Sequence, residues 1–542
     1  MKKLPIGIQS IEKILGKGDY IYVDKTLFAL QLIEGDAPHY FFSRPRRFGK
    51  SLFLSTLEEI FKGNKALFKE CKIYDSDYEW PVHPVLYFDF GEIANETPAA
   101  LITGLNEALE DLGELYGITV RGASYQSKLK RLITALAEKD PVVVLVDEYD
   151  KPIIDHLHSP KEAEENRKLL QSFFSTLKSR GKHVRFTFVT GISKFSQVSL
   201  FSGANHLEDI TMDPHHASMM GYTEEELLQY FDHHLLAVTE ERNAQGQSST
   251  EKDVLAEIKQ WYNGYRFSKA DTYVYNPFST LKFLRARTPK SYWYATGTPS
   301  FLIEQVSKQP QVVPPLAGIV AEESALMDIS SLEEIDLKAL MFQTGYLTIQ
   351  AYQTGNEEDE GAYTLDFPNR EVRRAFFASL LKEFARIDPQ GVNRAAKQLR
   401  EDLTMYNLEA FIKTINIHLA KIPYYVSQDA KEGFYQAVFF TLLEKSGIRT
   451  QAEVPTNIGR IDLVAQLPAA TVIFELKRDQ TATLALDQAR CKEYCMRYVQ
   501  PGKEILVVGI NFSSATRNID SWQGELLDER GERVRVLRPT PA

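Results

Sequence analysis

Residues 141–150 read PVVVLVDEYD, and this stretch limits the possible folds more than any other. Val142 to Val146 are apolar without alternation, so a strand here must be buried on both faces. Strands of that kind belong to parallel sheets covered by helices on both sides. The strand runs directly into Asp147 and Glu148, which puts two carboxylates at its C-terminal end. Asp147 can hold Mg2+ there, directly or through water, and Glu148 can orient and deprotonate an attacking water. By itself the stretch is equally a core strand ending in a solvated acidic turn.

Three more strand-like runs, HYFFS, HPVLYFDF and VRFTFVTG, alternate with helical stretches such as SLFLSTLEEIFKG and YQSKLKRLITALAEK. That alternation predicts an α/β domain with a mostly parallel sheet over residues 1–205. Residues 206–394 are mainly helical in pattern, with polar breaks near 243–249 and 354–361. From 395 to 542 a second, smaller α/β unit is expected. A helix with Glu432 leads to the strands RIDLVAQ and TVIFELK, then a helix with Gln488 and the strand EILVVGI. At 542 residues, the length prior suggests roughly three or four domains.

Residues 40–51 read YFFSRPRRFGKS. An apolar strand enters a turn and Gly49-Lys50-Ser51 opens a helical pattern, so backbone N–H groups and the helix dipole would face an anion. Lys50 would reach the β and γ phosphates of ATP, and Ser51 would ligate Mg2+ opposite Asp147. Phosphate loops have glycine five residues before Gly49, where this chain has Arg44. An arginine forced to positive φ costs about 1–2 kcal/mol, and Pro45 stiffens the turn. Three readings stay open. The arginines at 44, 46 and 47 lend charge to the nucleotide, contact a neighbouring subunit or nucleic acid, or form a basic surface turn.

In GRIDLV…TVIFELKRD, Asp462 precedes Glu475 by thirteen residues and Lys477 follows by two. On a strand, Glu475 and Lys477 share one face while Phe474 and Leu476 share the other. A hairpin would bring Asp462 beside Glu475, giving two hard oxygen ligands for Mg2+ or Mn2+. Lys477 would orient the attacking water and stabilise charge on the phosphate. Glu432 and Gln436 lie one helical turn apart. Gln488 follows on a later helix, with Tyr494 beyond it. The order matches the PD-(D/E)xK nuclease arrangement, except that Ile461 stands where proline is usual. The alternative for FELK alone is a solvated surface Glu–Lys pair.

The segments YVDKT (22–26), RPRRFGKS (44–51), VDEYDKPI (146–153) and FVTGISKFSQVSLFSGANHLEDIT (188–211) carry a closer likeness. They resemble the bacterial AAA-ATPase-like family, in which an ATPase domain is fused to a C-terminal PD-(D/E)xK nuclease-like domain. The resemblance implies that Arg44 is a family trait and that Thr190 senses the γ-phosphate. It leaves Lys194 either a charge-neutralising group or an ordinary loop lysine. WYNGYRF (261–267) and YNPFSTLKFL (275–284) also resemble the family, with no chemistry assigned.

A net charge of −10 argues against a general nucleic-acid coat. Residues 451–542 hold twelve basic and twelve acidic residues, so any attraction for phosphate comes from local patches and bound metal. Cys71, Cys491 and Cys495 do not make a zinc pattern. The N-terminus lacks a signal-peptide core, and no apolar run is long enough to span a bilayer. The expectation is a soluble cytoplasmic protein in which ATP regulates a metal-dependent nuclease acting on nucleic acid, DNA rather than RNA. A homo-oligomer and a role in defence against foreign DNA are further expectations. The competing expectations are an ATP-driven switch whose nuclease fold docks nucleic acid or a partner without cleaving, and an ATPase that moves along DNA.

Overall fold

The computed structural model describes residues 1–194, 207–296, 302–303, 305–306, 318–327, 329, 336–355, 361–385, 389–422, 432–456 and 459–540. Two compact units form, one from residues 1–297 with 320–371 and the other from 298–319 with 372–542. The mainly helical residues 206–297 therefore group with the first unit.

In the first unit, β1 (His39–Ser43), β2 (Val85–Asp89), β3 (Val142–Asp147), β4 (Val184–Gly191) and β5 (Glu208–Asp209) form a sheet in the order β2-β3-β4-β1-β5. Every pairing in it is parallel. All six residues of β3 are buried, as its unbroken apolar run requires. The connecting helices start where the sequence supplies caps. Thr97 accepts the Ala100 N–H ahead of Pro98, and Ser124 accepts the Ser127 N–H. Phe42 sits beside Thr190, and Val146 beside Val189, so the C-terminal ends of β1, β4 and β3 lie level.

Helices Glu224–Ala244, Glu251–Tyr262 and Pro277–Ala286 complete this unit around Leu227, Phe231, Ile258, Tyr262 and Phe283. Two of these helices open with reciprocal capping boxes, Thr223 with Glu226 and Thr250 with Asp253. A separate three-stranded sheet contains β6 (Ile319–Ala321), β7 (Thr348–Gln353) and β8 (Ala362–Asp366) in the order β6-β8-β7.

The second unit is built on a sheet whose spatial order follows the chain: β9 (Arg449–Thr456), β10 (Gly459–Gln466), β11 (Ala470–Arg478), β12 (Glu504–Ser513), β13 (Asn518–Leu527) and β14 (Arg533–Leu537). Neighbours run antiparallel except β11 and β12, which are parallel and joined through helix Ala482–Cys491. Parallel neighbours need such a crossover. On one face Phe411 stacks against Phe474 and Phe439 meets it edge-on. On the other, Leu486 and Ala489 of the crossover helix pack with Val464, Ile473 and Val507. Gly509 lies beside Glu475 in the β11–β12 register. A Cβ there would sit 2.6 Å from the Leu486 nitrogen and closer still to the Ala482 carbonyl, so glycine is what lets the helix approach. Among the described residues, no helix is long and apolar enough to cross a membrane.

Candidate functional site

The ends of β1 and β3 open onto a cavity of about 390 Å3. Its lining includes Gly49, Lys50, Ser51, Glu148 and Asp150 together with the apolar Ile8, Met220, Pro277 and Phe278 and the ring of Tyr222. That volume and that mixed lining suit a ligand with a charged and an apolar part. Gly49 has φ of +102°, a left-handed conformation that glycine adopts without strain, and it leads into helix Lys50–Phe61. Lys50 is buried, with its Nζ 2.9 Å from the Arg44 carbonyl and 3.1 Å from the Pro45 carbonyl. Burial pushes its pKa down, while Asp147, Asp150 and Glu148 push it back up.

Asp147 accepts the Glu148 N–H through Oδ1 at 2.9 Å, and its Oδ2 is buried without a hydrogen-bond partner. Burial raises its pKa, an effect partly offset by the adjacent Ser51 hydroxyl and Lys50 ammonium. An orphaned carboxylate oxygen beside a serine hydroxyl and a buried lysine fits Mg2+ carried in by a nucleotide. Asp89, one strand further along the same edge, has its carboxyl pushed up to about 6, first by burial, with Asp147 and Glu148 adding to it.

Two expectations for this half are placed differently. Arg44 is 1% exposed and lies between the rings of Phe42 and Phe267, 4.1 and 4.3 Å from their centroids. Its Nη1 donates to the Ser43 and Thr211 carbonyls. Aromatic walls thus hold Arg44 away from the cavity lining, which Arg46 and Arg47 reach. The positive φ falls on Arg47, at +66°. Thr190 is fully buried at the end of β4 and donates its hydroxyl to the Phe42 carbonyl at 2.6 Å, outside the cavity wall.

Lys194 is buried and ion-paired with Asp209. Residues 195–206 of the quoted segment lie outside the described residues. Asp150, which the sequence reading passed over, is buried and accepts the Ile192 N–H, the Ser193 N–H and the Ser193 hydroxyl through Oδ2, at 3.0, 2.7 and 2.7 Å.

In the second unit, β10 and β11 pair with Leu463 opposite Phe474, so the hairpin carries Asp462 to the neighbourhood of Glu475. Asp462 Oδ2 accepts the Leu476 N–H at 2.7 Å. The Glu475 side chain is fully buried. Its Oε1 accepts from Gln488 Nε2 and from Lys477 Nζ, the latter at 3.3 Å, while Oε2 has no partner. Burial, then the Asp462 charge, push the Glu475 carboxyl up to about 7, against the pull of Lys477 and Lys492. Tyr494, buried, donates to the Arg460 carbonyl at 2.7 Å.

Gln436 reaches Glu453 Oε1 at 2.8 Å and the Asp462 carbonyl at 3.4 Å, contacts beyond the sequence reading. Glu432 is the first residue of its helix, and its side chain lies outside the described residues. Asp462, Glu475, Lys477 and Gln488 are therefore brought together. Among the described residues, no three His, Cys, Asp or Glu side chains converge as a metal cage. The two carboxylates and the orphaned Glu475 Oε2 nonetheless fit a hard divalent cation that completes its shell with water or phosphate oxygen.

Comparison with known proteins agrees with both halves. Residues 5–201 match the family described as "Predicted AAA-ATPase", and residues 430–522 match the PD-(D/E)XK nuclease superfamily. A relative from Azotobacter chroococcum mcd 1, named as an uncharacterized protein in the vnfD 5' region, is 37% identical over 535 residues. The match covers 97% of this chain and 99% of that one. With a phosphate loop facing Asp147 in one unit and an Asp–Glu–Lys cluster in the other, the chain belongs to the family that joins an AAA-ATPase-like domain to a PD-(D/E)XK nuclease domain.

Proposed function

We propose that the chain hydrolyses ATP in its first unit and thereby regulates a metal-dependent nuclease in its second, which cuts the phosphodiester backbone of nucleic acid, DNA rather than RNA. The observation that carries the reading is Glu475: one oxygen is fixed by Gln488 and Lys477, and the other is left buried and unpartnered beside Asp462. Mg2+ or Mn2+ bound there supplies Lewis acidity and lowers the pKa of a ligated water. Asp462 and Glu475 would hold the ion, Gln488 orients Glu475, and Lys477 neutralises charge developing on the phosphate. In the first unit, Lys50 and the loop N–H groups would bind the phosphates. Ser51 and Asp147 would hold magnesium, and Glu148 would take the proton from the attacking water.

The setting proposed is cytoplasmic and homo-oligomeric, with defence against foreign DNA as the role. A nuclease assay on single- and double-stranded DNA and RNA, with and without ATP and Mg2+, tests the reading. Cleavage by the wild type that disappears in Asp462→Ala is expected. ATP turnover without cleavage of any substrate overturns the nuclease half.

A further inference from the structure

The phosphate loop lacks the leading glycine that normally lets its backbone turn N–H groups inward, so something else must impose that orientation. Around the loop, carbonyls are taken up by donors one after another. Those of Arg44 and Pro45 accept from Lys50, that of Arg46 accepts from Trp293 Nε1 at 2.9 Å, and that of Phe48 accepts from the Gly221 N–H at 3.4 Å. Lys50 belongs to the loop and must serve the ligand, whereas Trp293 is a fixed wall. Its own N–H donates to Glu371 Oε1 at 2.6 Å and to Ser279 Oγ at 3.1 Å, and its ring packs against Tyr346. Glu371 is fully buried, and Trp293 is 5% exposed.

We infer that Trp293 is a positioning residue for the phosphate loop: by holding the Arg46 carbonyl outward, it turns the N–H of the same peptide, that of Arg47, toward the nucleotide. The peptide is trans, so its C=O and N–H point in opposite directions. Arg46 and Arg47 both line the cavity, so the peptide between them borders the space a ligand would fill. Without the Trp293 bond, the Arg46–Arg47 peptide is free to rotate and present a carbonyl oxygen to phosphate, which repels it. Arg47 is already held at a φ of +66°, a conformation an arginine keeps only when its surroundings impose it. Phe48, with its ring 4.8 Å from Tyr265 and 5.5 Å from Phe267, anchors the other side of the turn. The WYNGYRF segment thereby acquires a role as the outer support of the loop.

The inference rests on the nucleotide reading of the cavity, and the test separates the two. Binding of Mg-ATP and of inorganic tripolyphosphate is measured by calorimetry for wild type and Trp293→Phe, alongside thermal unfolding without ligand. Loss of one oriented donor is expected to weaken both ligands by about threefold to tenfold with little change in unliganded melting. Equal affinity of wild type and variant for both ligands overturns the inference and leaves the nucleotide reading standing. A wild type that binds neither ligand overturns both. If Trp293→Phe does not fold, replacement of Trp293 by benzothienylalanine removes only the Nε1–H while keeping the ring shape, and the same weakening is expected of it.

Discussion

Asp462 Oδ2 accepts the backbone N–H of Leu476, the residue between Glu475 and Lys477. The aspartate is thus both a candidate metal ligand and a clamp on the strand that carries its partners. Asp462→Asn keeps an oxygen acceptor for Leu476, whereas Asp462→Ala leaves a buried donor unpaired. We predict that Asp462→Ala lowers the stability of the second unit by about 1–3 kcal/mol and Asn by less, as read by urea unfolding, while both abolish cleavage. An Asn variant that cuts nucleic acid like the wild type contradicts the metal role.

The Glu475 carboxyl, pushed up to about 7 by burial and Asp462, makes the second unit sensitive to pH. A cation needs the carboxylate, so Mg2+ or Mn2+ affinity should rise by about tenfold per pH unit up to about 7 and then level off. The stability effect has the opposite sign. The folded-state pKa lies above the ordinary value of 4.5, so the protonated form favours the folded state. That contribution is complete below 4.5 and is lost as pH rises through 7. Metal-free Glu475→Gln should lack this slope when melting is followed from pH 4.5 to 7.5.

Gly509 permits the close approach of helix Ala482–Cys491 to β12. Gly509→Ala must push the helix outward and so loosen the Gln488–Glu475 bond. We expect a loss of about 1–3 kcal/mol in stability from overpacking. A fall in cleavage at least as large as that of Gln488→Ala should accompany it. Undiminished cleavage in Gly509→Ala would show that Gln488 is not needed.

Lys50→Ala should cost about 100-fold or more in ATP turnover, measured by phosphate release, because the buried cation proposed to bind the phosphates is removed. If ATP regulates the nuclease, the same variant should cut nucleic acid at a rate indifferent to added ATP. Cleavage that still responds to ATP would mean that the first unit is not the sensor.

What could be read from the sequence was short in range or periodic. β3 announced itself because a short, unbroken and valine-rich apolar run suits a strand buried on both faces, and Asp147 followed from its end. The Asp462–Glu475 meeting followed from a hairpin and the two-residue period of a strand. The burial of Arg44 was not legible because its local text is that of a phosphate loop, while its position is decided by Phe267, far along the chain. Trp293 was invisible for the same reason, being 247 positions from the carbonyl it holds. Asp150 looked like one more charge in an acidic turn, and burial against the Ser193 backbone is a tertiary fact. Gly509 carries no chemical signature; its meaning lies in the helix laid across it.

β11, the strand that carries Glu475 and Lys477, is flanked by β10 on one side and β12 on the other, and helices cover both of its faces. Such a strand cannot slide or bend without tearing hydrogen-bond ladders on two borders, so the acidic centre is as stiff as the core itself. If the nucleotide controls this candidate centre as proposed, it does so by governing admission of a substrate rather than by reshaping the strand that carries the carboxylate.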